Sequence, residues 1–254
     1  MAFRPQVSGL GRVLRALGAL GVGLGALAGC HSDQCFKSAG EVTTERRALP
    51  PFEKLSVADN VRVTLVQDAE TYAEVTTGSH LQADLKLEVR GPRLYISNES
   101  RCNWARSYDV PHAVTLHLPT LREADHIGQA TVSTQGEFRA DTLFLHMSGT
   151  GDYDLSLRSN YLWVDQYELG DYRLRGTTDE LHLTGGSLGR FFAADLRARA
   201  CYVNLTTFAD NEIRIYGSDV VAGTHAGSGT VYYAGRPPFT DLRLTGRGRI
   251  VRVE

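Results

Sequence analysis

The chain lacks most of the signals that mark familiar functional classes. After residue 40 no stretch repeats its apolar residues at helical spacing, which excludes an α-helical or mixed α/β fold. Basic residues form no concentrated patch: 27 Lys and Arg stand against 29 Asp and Glu, so a nucleic-acid partner is not expected. The one long uncharged run, residues 16–29, is too short and too glycine-rich to span a membrane. Cysteine is scarce, at four residues, and the histidines are scattered. His112 and His117 are five apart with no third ligand, and His146, His182 and His225 fall in separate segments, so neither metal nor cofactor is expected. One catalytic pattern appears as text, Gly185-Gly186-Ser187-Leu188-Gly189, a G-x-S-x-G run. That motif needs a strained strand-to-helix turn beside a histidine and an acid, whereas a strand pattern follows here. No catalytic residue is assigned.

What is present is a repeat. A small turn followed by alternating apolar residues recurs at Gly151, Gly170, Gly189, Ala209, Gly229 and Gly248, spaced 19, 19, 20, 20 and 19 residues apart. A fixed period near 20 with strand-like alternation predicts a parallel β-solenoid, each repeat forming one coil. The glycines are expected to supply positive φ at the turns, with Asp210 and Asn211 substituting in the fourth. The register predicts inward columns of Leu143, Leu162, Leu181 and Cys201; of Leu145, Val164, Leu183 and Val203; and of Leu155, Leu174, Ala193 and Ile213. Cys201 therefore reads as a buried thiol. A solenoid offers long flat faces and no preformed cleft, which favours a binding surface over an enzyme.

The N-terminus speaks to location. Arg4, Arg12 and Arg15 precede the apolar run, the pattern of a secretory signal. The run ends in Leu27-Ala28-Gly29-Cys30, which resembles the bacterial lipobox and implies that Cys30 becomes a lipid-modified first residue. His31 stands where an inner-membrane retention aspartate would be, which favours the outer membrane. The expected organisation is a signal peptide at 1–29, a lipid-anchored segment at 30–48, and a solenoid domain at 49–254. Within that domain 49–120 are irregular first coils or a cap, and 121–254 the regular repeats. Loss of the signal leaves the mature chain at about −5. With Cys30 lipidated and Cys201 in the core, Cys35 and Cys102 remain, and an extracytoplasmic compartment lets them pair, for about 2 to 4 kcal/mol.

A family resemblance rests on several segments in order: Cys35-Phe36-Lys37-Ser38-Ala39-Gly40, Leu49-Pro50-Pro51-Phe52-Glu53-Lys54-Leu55, Cys102-Asn103-Trp104-Ala105-Arg106-Ser107-Tyr108, and the turns Ser148-Gly149-Thr150-Gly151 and Gly227-Ser228-Gly229. Together they resemble the head GIN-domain proteins (DUF2807), described as auto-transporter adhesin heads and common among Bacteroidetes lipoproteins. The resemblance implies a β-helical, surface-associated protein. The chain departs from the family pattern where Gly170 and Gly189 lack a preceding Ser-Gly and where Ala209 replaces glycine.

Two features carry functional readings. On the outward side of the first strand of each repeat, equivalent positions hold Phe144, Trp163, His182 and Tyr202, flanked by His146, Asp165, Thr184 and Asn204. An aromatic column beside polar groups suits stacking against sugar rings or a protein partner. The expectation is a non-enzymatic adhesion or interaction module of the cell envelope, bound to the membrane through its lipid anchor, with a glycan or an envelope protein as ligand. The alternative is a carbohydrate-active β-helix enzyme, a polysaccharide lyase or hydrolase, using the stacked carboxylates Asp152 and Asp171.

Overall fold

The computed structural model describes residues 38–100 and 110–254. In these residues 17 strands join one continuous sheet, wound into a parallel β-solenoid of about six turns with coils of roughly 20 residues. The all-β solenoid expected from the repeat is observed, and among the described residues a single 3-10 turn at Gln82–Asp84 interrupts it. The expected signal peptide, Cys30, and the Cys35 and Cys102 pair lie outside the described residues.

The regular coils are built from β10 (Phe138–Met147), β11 (Tyr153–Gln166), β12 (Tyr172–Gly185), β13 (Phe191–Leu205) and β14 (Glu212–His225). Each is one long strand with a corner in it, where the repeat alone suggested two separate short strands. In β11 the buried residues run Leu155, Leu157, Ser159 and then Leu162, Val164, so the inside–outside alternation changes phase at the corner. That phase change gives the solenoid two faces. The first halves stack in parallel with β3 (Arg62–Gln67), β7 (Ala113–Leu118), β9 (Val132–Gln135), β15 (Thr230–Ala234) and β17 (Arg249–Arg252). The second halves stack with β2 (Lys54–Val57), β6 (Arg93–Asn98), β8 (Glu123–His126) and β16 (Phe239–Leu244). At the N-terminal end the pattern turns antiparallel: β4 (Tyr72–Gly78) pairs with β7, β1 (Val42–Ala48) with β4, and β5 (Leu85–Arg90) with β6.

The interior is a set of stacked columns. Leu143, Leu162, Leu181 and Cys201 align, as do Leu145, Val164, Leu183 and Val203, and all are buried. Full burial of each such side chain stabilises by about 1.5–3 kcal/mol. The third expected column needs correction. Ile213 aligns with Phe191 and not with Ala193. The turn before β14 is longer than its neighbours, so Asn211, 22 residues beyond Gly189, stands in the glycine column where Ala209 was expected. Aromatic residues also lie inside, two positions before Leu155, Leu174 and Ala193. Tyr153, Tyr172 and Phe191 form a fully buried pile, with ring centroids 5.1 and 5.5 Å apart. Its hydroxyls are satisfied, Tyr153 donating to the Ala124 carbonyl (3.0 Å) and Tyr172 to the Asp165 carbonyl (2.9 Å).

The turn glycines are required for a different reason than expected. None of Gly151, Gly170, Gly189, Gly229 or Gly248 has positive φ, and neither do Asp210 and Asn211. A Cβ on Gly170 would instead lie 2.0 Å from the Gly151 carbonyl oxygen and 2.5 Å from Met147 Sδ. Stacked coils approach so closely at this corner that only hydrogen fits. Buried polar side chains at the strand ends tie the same turns together four residues on. His126 donates to the Ala130 carbonyl (2.6 Å), Gln166 to Gly170 (2.8 Å) and His225 to Gly229 (2.9 Å).

Candidate functional site

The register of the second halves places Phe144, Trp163, His182 and Tyr202 in one outward column. The rings of Trp163, His182 and Tyr202 stack on each other along the solenoid axis. Trp163 and His182 are 5.6 Å apart at 10°, and His182 and Tyr202 are 4.8 Å apart at 27°. Tyr161, one column over, joins the pile against His182 (4.8 Å) and Phe144 (6.1 Å). Because the rings face each other, the column shows mostly edges to solvent. At the C-terminal end of the column the outer face of Tyr202 is left open, because the next residue in the column is Ala222. Tyr202 is 36% exposed.

A parallel column two residues on holds Asp165, Thr184, Asn204 and Thr224, with Thr224 donating to Asn204 (3.1 Å). Between the two columns runs a groove of about 250 Å³, with Trp163, His182 and Tyr202 on one wall and Thr184, Asn204 and Thr224 on the other. Gly223 also lines it, at the inward-facing position where earlier coils carry the buried side chains of Val164, Leu183 and Val203. This side chain has to be absent, since a Cβ there would lie 1.9 Å from the Val203 carbonyl oxygen. The arrangement offers ring edges and one ring face opposite hydroxyl and amide groups.

The same face becomes ionic toward the N-terminal end. Lys54 pairs with Glu123 (2.6 Å), and Arg93 bonds both Glu123 and Asp125. Burial alone would raise the Glu123 pKa, but hydrogen bonds from Lys54 and Arg93 outweigh it and hold it below the usual carboxylate range. His146 sits beside this cluster and bonds Asp165 (2.5 Å), which raises its pKa against an opposing effect of burial. Glu123, Asp125 and His146 place ligand atoms within 4.8 Å of one another, a grouping that sequence spacing missed because it spans two coils. Lys54, Arg93 and Asp165 already engage these three groups, so the trio is an ion-pair network in its own right.

The alternative acidic pair is built into the stack. Asp152 accepts the Asp171 N–H (2.9 Å), and Asp171 accepts the Arg190 N–H (2.8 Å). Arg173 bonds both carboxylates (3.0 and 3.1 Å), and Arg190 adds a second guanidinium to Asp171 (3.0 Å). Both oxygens of each carboxylate are therefore occupied in joining one coil to the next. Ser187 is likewise consumed, donating to the Glu168 carbonyl and accepting the Gly189 N–H (2.9 Å). His117 stacks on Tyr72 (4.1 Å) and bonds Asp68 (3.1 Å). Beside the aromatic column the turns also expose Tyr167, Leu169, Leu188 and Phe208, an apolar ridge over three consecutive coils. These residues interrupt the small-residue turn pattern, the one sequence signal that could have marked them.

The fold and register can be set against known proteins. A solved protein of Bacteroides fragilis described as a putative adhesin superposes with a TM-score of 0.76 at 21% identity, covering 84% of this chain and 97% of its own. A protein of Parabacteroides distasonis described as a putative lipid binding protein gives 0.66 at 18%, covering 85% and 98%. A putative adhesin from the same organism gives 0.61 at 15%, covering 84% and 98%. At these identities the likeness concerns the fold. No curated protein matches the sequence. Residues 51–237 match the family described as "Putative auto-transporter adhesin, head GIN domain", and the chain belongs to that family, DUF2807.

Proposed function

We propose that the protein is a cell-envelope adhesion module that holds a glycan in the groove beside its aromatic column. The observation that carries this reading is the groove itself, where Tyr202 keeps an open ring face over Ala222 and Gly223 while Thr184, Asn204 and Thr224 line the other wall. A pyranose presents an apolar C–H face and a rim of hydroxyls, which matches an aromatic wall opposite a hydroxyl and amide wall. Family membership supports the adhesion role. Backbone amides and guanidinium groups already engage Asp152 and Asp171, the pair on which the hydrolase or lyase alternative rested.

The anchor is part of the same proposal. Cys30, lipid-modified after cleavage at Gly29, would hold the module on the outer membrane, and Cys35 joined to Cys102 would tie the anchored segment to the solenoid. Metabolic labelling with a radiolabelled fatty acid tests the anchor, with label expected in the wild-type protein and lost in Cys30→Ala. A glycan array with product analysis tests the groove. Binding without cleavage is expected, and Tyr202→Ala should weaken it at least tenfold, about 1.4 kcal/mol. Unchanged binding in a folded Tyr202→Ala protein would make the column purely structural.

A further inference from the structure

The aromatic groove leaves one feature of the molecule unused, an arginine-lined cleft at the C-terminal end. The final coil is charged unlike the rest: residues 235–254 hold five arginines against two acids, whereas residues 38–234 hold 18 Lys and Arg against 26 Asp and Glu. Three guanidinium groups, those of Arg197, Arg236 and Arg252, line a cleft of about 930 Å³ together with Tyr216 and one carboxylate, that of Glu254, so the guanidinium groups outnumber the acid three to one. The repeat predicted no such hollow, and its origin is local. On the first-half face Arg139, Arg158, Thr177 and Arg197 follow one another in register, and the next coils carry Tyr216 and then Ala234. Side-chain bulk therefore stops at Ala234 and Gly235. Gly235 cannot be larger, since its φ is +98° and a Cβ would lie 2.2 Å from the Gly217 carbonyl oxygen.

Among the described residues none of the three arginines forms an ion pair. Two are nonetheless held in place. Arg197 lies over the Tyr216 ring at 4.3 Å from its centroid, and Arg252 donates to the Gly235 carbonyl (3.3 Å). Each keeps further N–H groups for a ligand. Elsewhere on the same face arginines are neutralised, Arg139 and Arg158 by Glu137 and Arg175 by Asp154. Unpaired guanidinium groups converging on a concave site are suited to an anion, and their planar forks match a carboxylate. The floor of Ala234, Gly235 and Val253 beside Tyr216 adds a small apolar surface that a bare inorganic ion has no means to use.

We propose that this cleft binds an acidic saccharide, with a uronate carboxylate held by Arg236 and Arg252 and the sugar ring lying against Tyr216 and Ala234. The site is separate from the aromatic groove and stands or falls independently of it. Calorimetric titration with hexagalacturonate tests it, with maltohexaose, inorganic phosphate and phosphatidylglycerol vesicles as comparison probes. Binding of hexagalacturonate is expected, weakening as salt rises, with none for maltohexaose. The double variant Arg236→Ala/Arg252→Ala should bind at least tenfold more weakly with an unchanged thermal midpoint, since both side chains are exposed. Arg139→Ala/Arg158→Ala removes the same charge elsewhere and should bind as wild type. Equal losses in the two double variants would reduce the effect to diffuse charge and overturn the site. Equally strong binding of phosphate or of the vesicles, or none of hexagalacturonate, would overturn the saccharide assignment.

Discussion

At the scale of single residues, the histidines separate into two electrostatic kinds. His126 is buried and neutral, its Nε2 donating to the Ala130 carbonyl and its Nδ1 accepting the Gly128 N–H, and burial lowers its pKa. Unfolding exposes it to ordinary protonation near pH 6.5, so its contribution is complete above that value and is lost as the pH falls toward its folded pKa. His146 has the opposite sign. Its bond to Asp165 raises its pKa, so that contribution is complete below about pH 6.5 and disappears as the pH rises through the folded pKa. Chemical denaturation between pH 5 and 7.5 separates them: His126→Gln should flatten the acid-side loss of stability, and His146→Asn should remove the alkaline-side loss. Glutamine is the apt replacement because Gln166 already makes the equivalent bond to Gly170. Gly170→Ala is predicted to cost at least about 2 kcal/mol, because the new methyl meets backbone that has nowhere to move. At Gly136 nothing lies within 4 Å of the added Cβ, so any cost there comes from its φ of +78° alone. A similar loss at both positions by denaturant titration would contradict the close-approach explanation.

At the scale of the element, each coil is a bent strand closed by a tight turn, and the interior aromatic pile clamps successive coils together. Tyr172 touches both Tyr153 and Phe191 and is fully buried. Tyr172→Ala should therefore cost about 3–5 kcal/mol by opening a cavity shared by three coils. Tyr172→Phe removes only the hydroxyl, which bonds the Asp165 carbonyl and more weakly the Leu145 carbonyl, and should cost about 1 kcal/mol. Thermal or urea unfolding gives both values, and near-equal losses would mean that the hydroxyl, and not the ring, matters. Cys201 lies in the neighbouring column at 0% exposure, and burial pushes its thiol up to about 12. Both effects withhold the thiolate, so a thiol reagent should label Cys201 only as fast as the protein opens. Its burial was readable from the alternation of β13. The inward position of Tyr153, Tyr172 and Phe191, two residues before Leu155, Leu174 and Ala193, follows from the same alternation, whereas the corner at which its phase flips is not placed by sequence alone.

At the scale of the whole molecule, the solenoid is quasi-one-dimensional, since each coil contacts little beyond its two neighbours. The central strands β11, β12 and β13 are paired on both sides along nearly their whole length. β16 and β17 form the C-terminal edge, and β1 and β5 the N-terminal edge. Hydrogen exchange should show protection highest in β11 to β13 and falling toward both ends, because opening can begin at an edge without breaking the middle. Uniform protection would show one all-or-none unit instead. The edges also differ in chemistry, antiparallel strands at one end and an arginine-rich coil at the other.

The sequence by itself determined the solenoid, its coil length, the two second-half core columns and the alignment of Phe144, Trp163, His182 and Tyr202. All four follow from a period close to 20 and a strand period of two, which are properties of neighbours along the chain. Tertiary structure decided the rest. It turned the aromatic column edge-on by stacking its rings, occupied Asp152 and Asp171 with amides and guanidinium groups from adjacent coils, and moved Asn211 into the glycine column by lengthening one turn. It also brought Arg197, Arg236 and Arg252 around one cleft. The physical reason is common to all of these. Stacking makes neighbours of residues about one coil apart, and the chemistry that results depends on distances near 3 Å that small shifts of register at corners and turns decide.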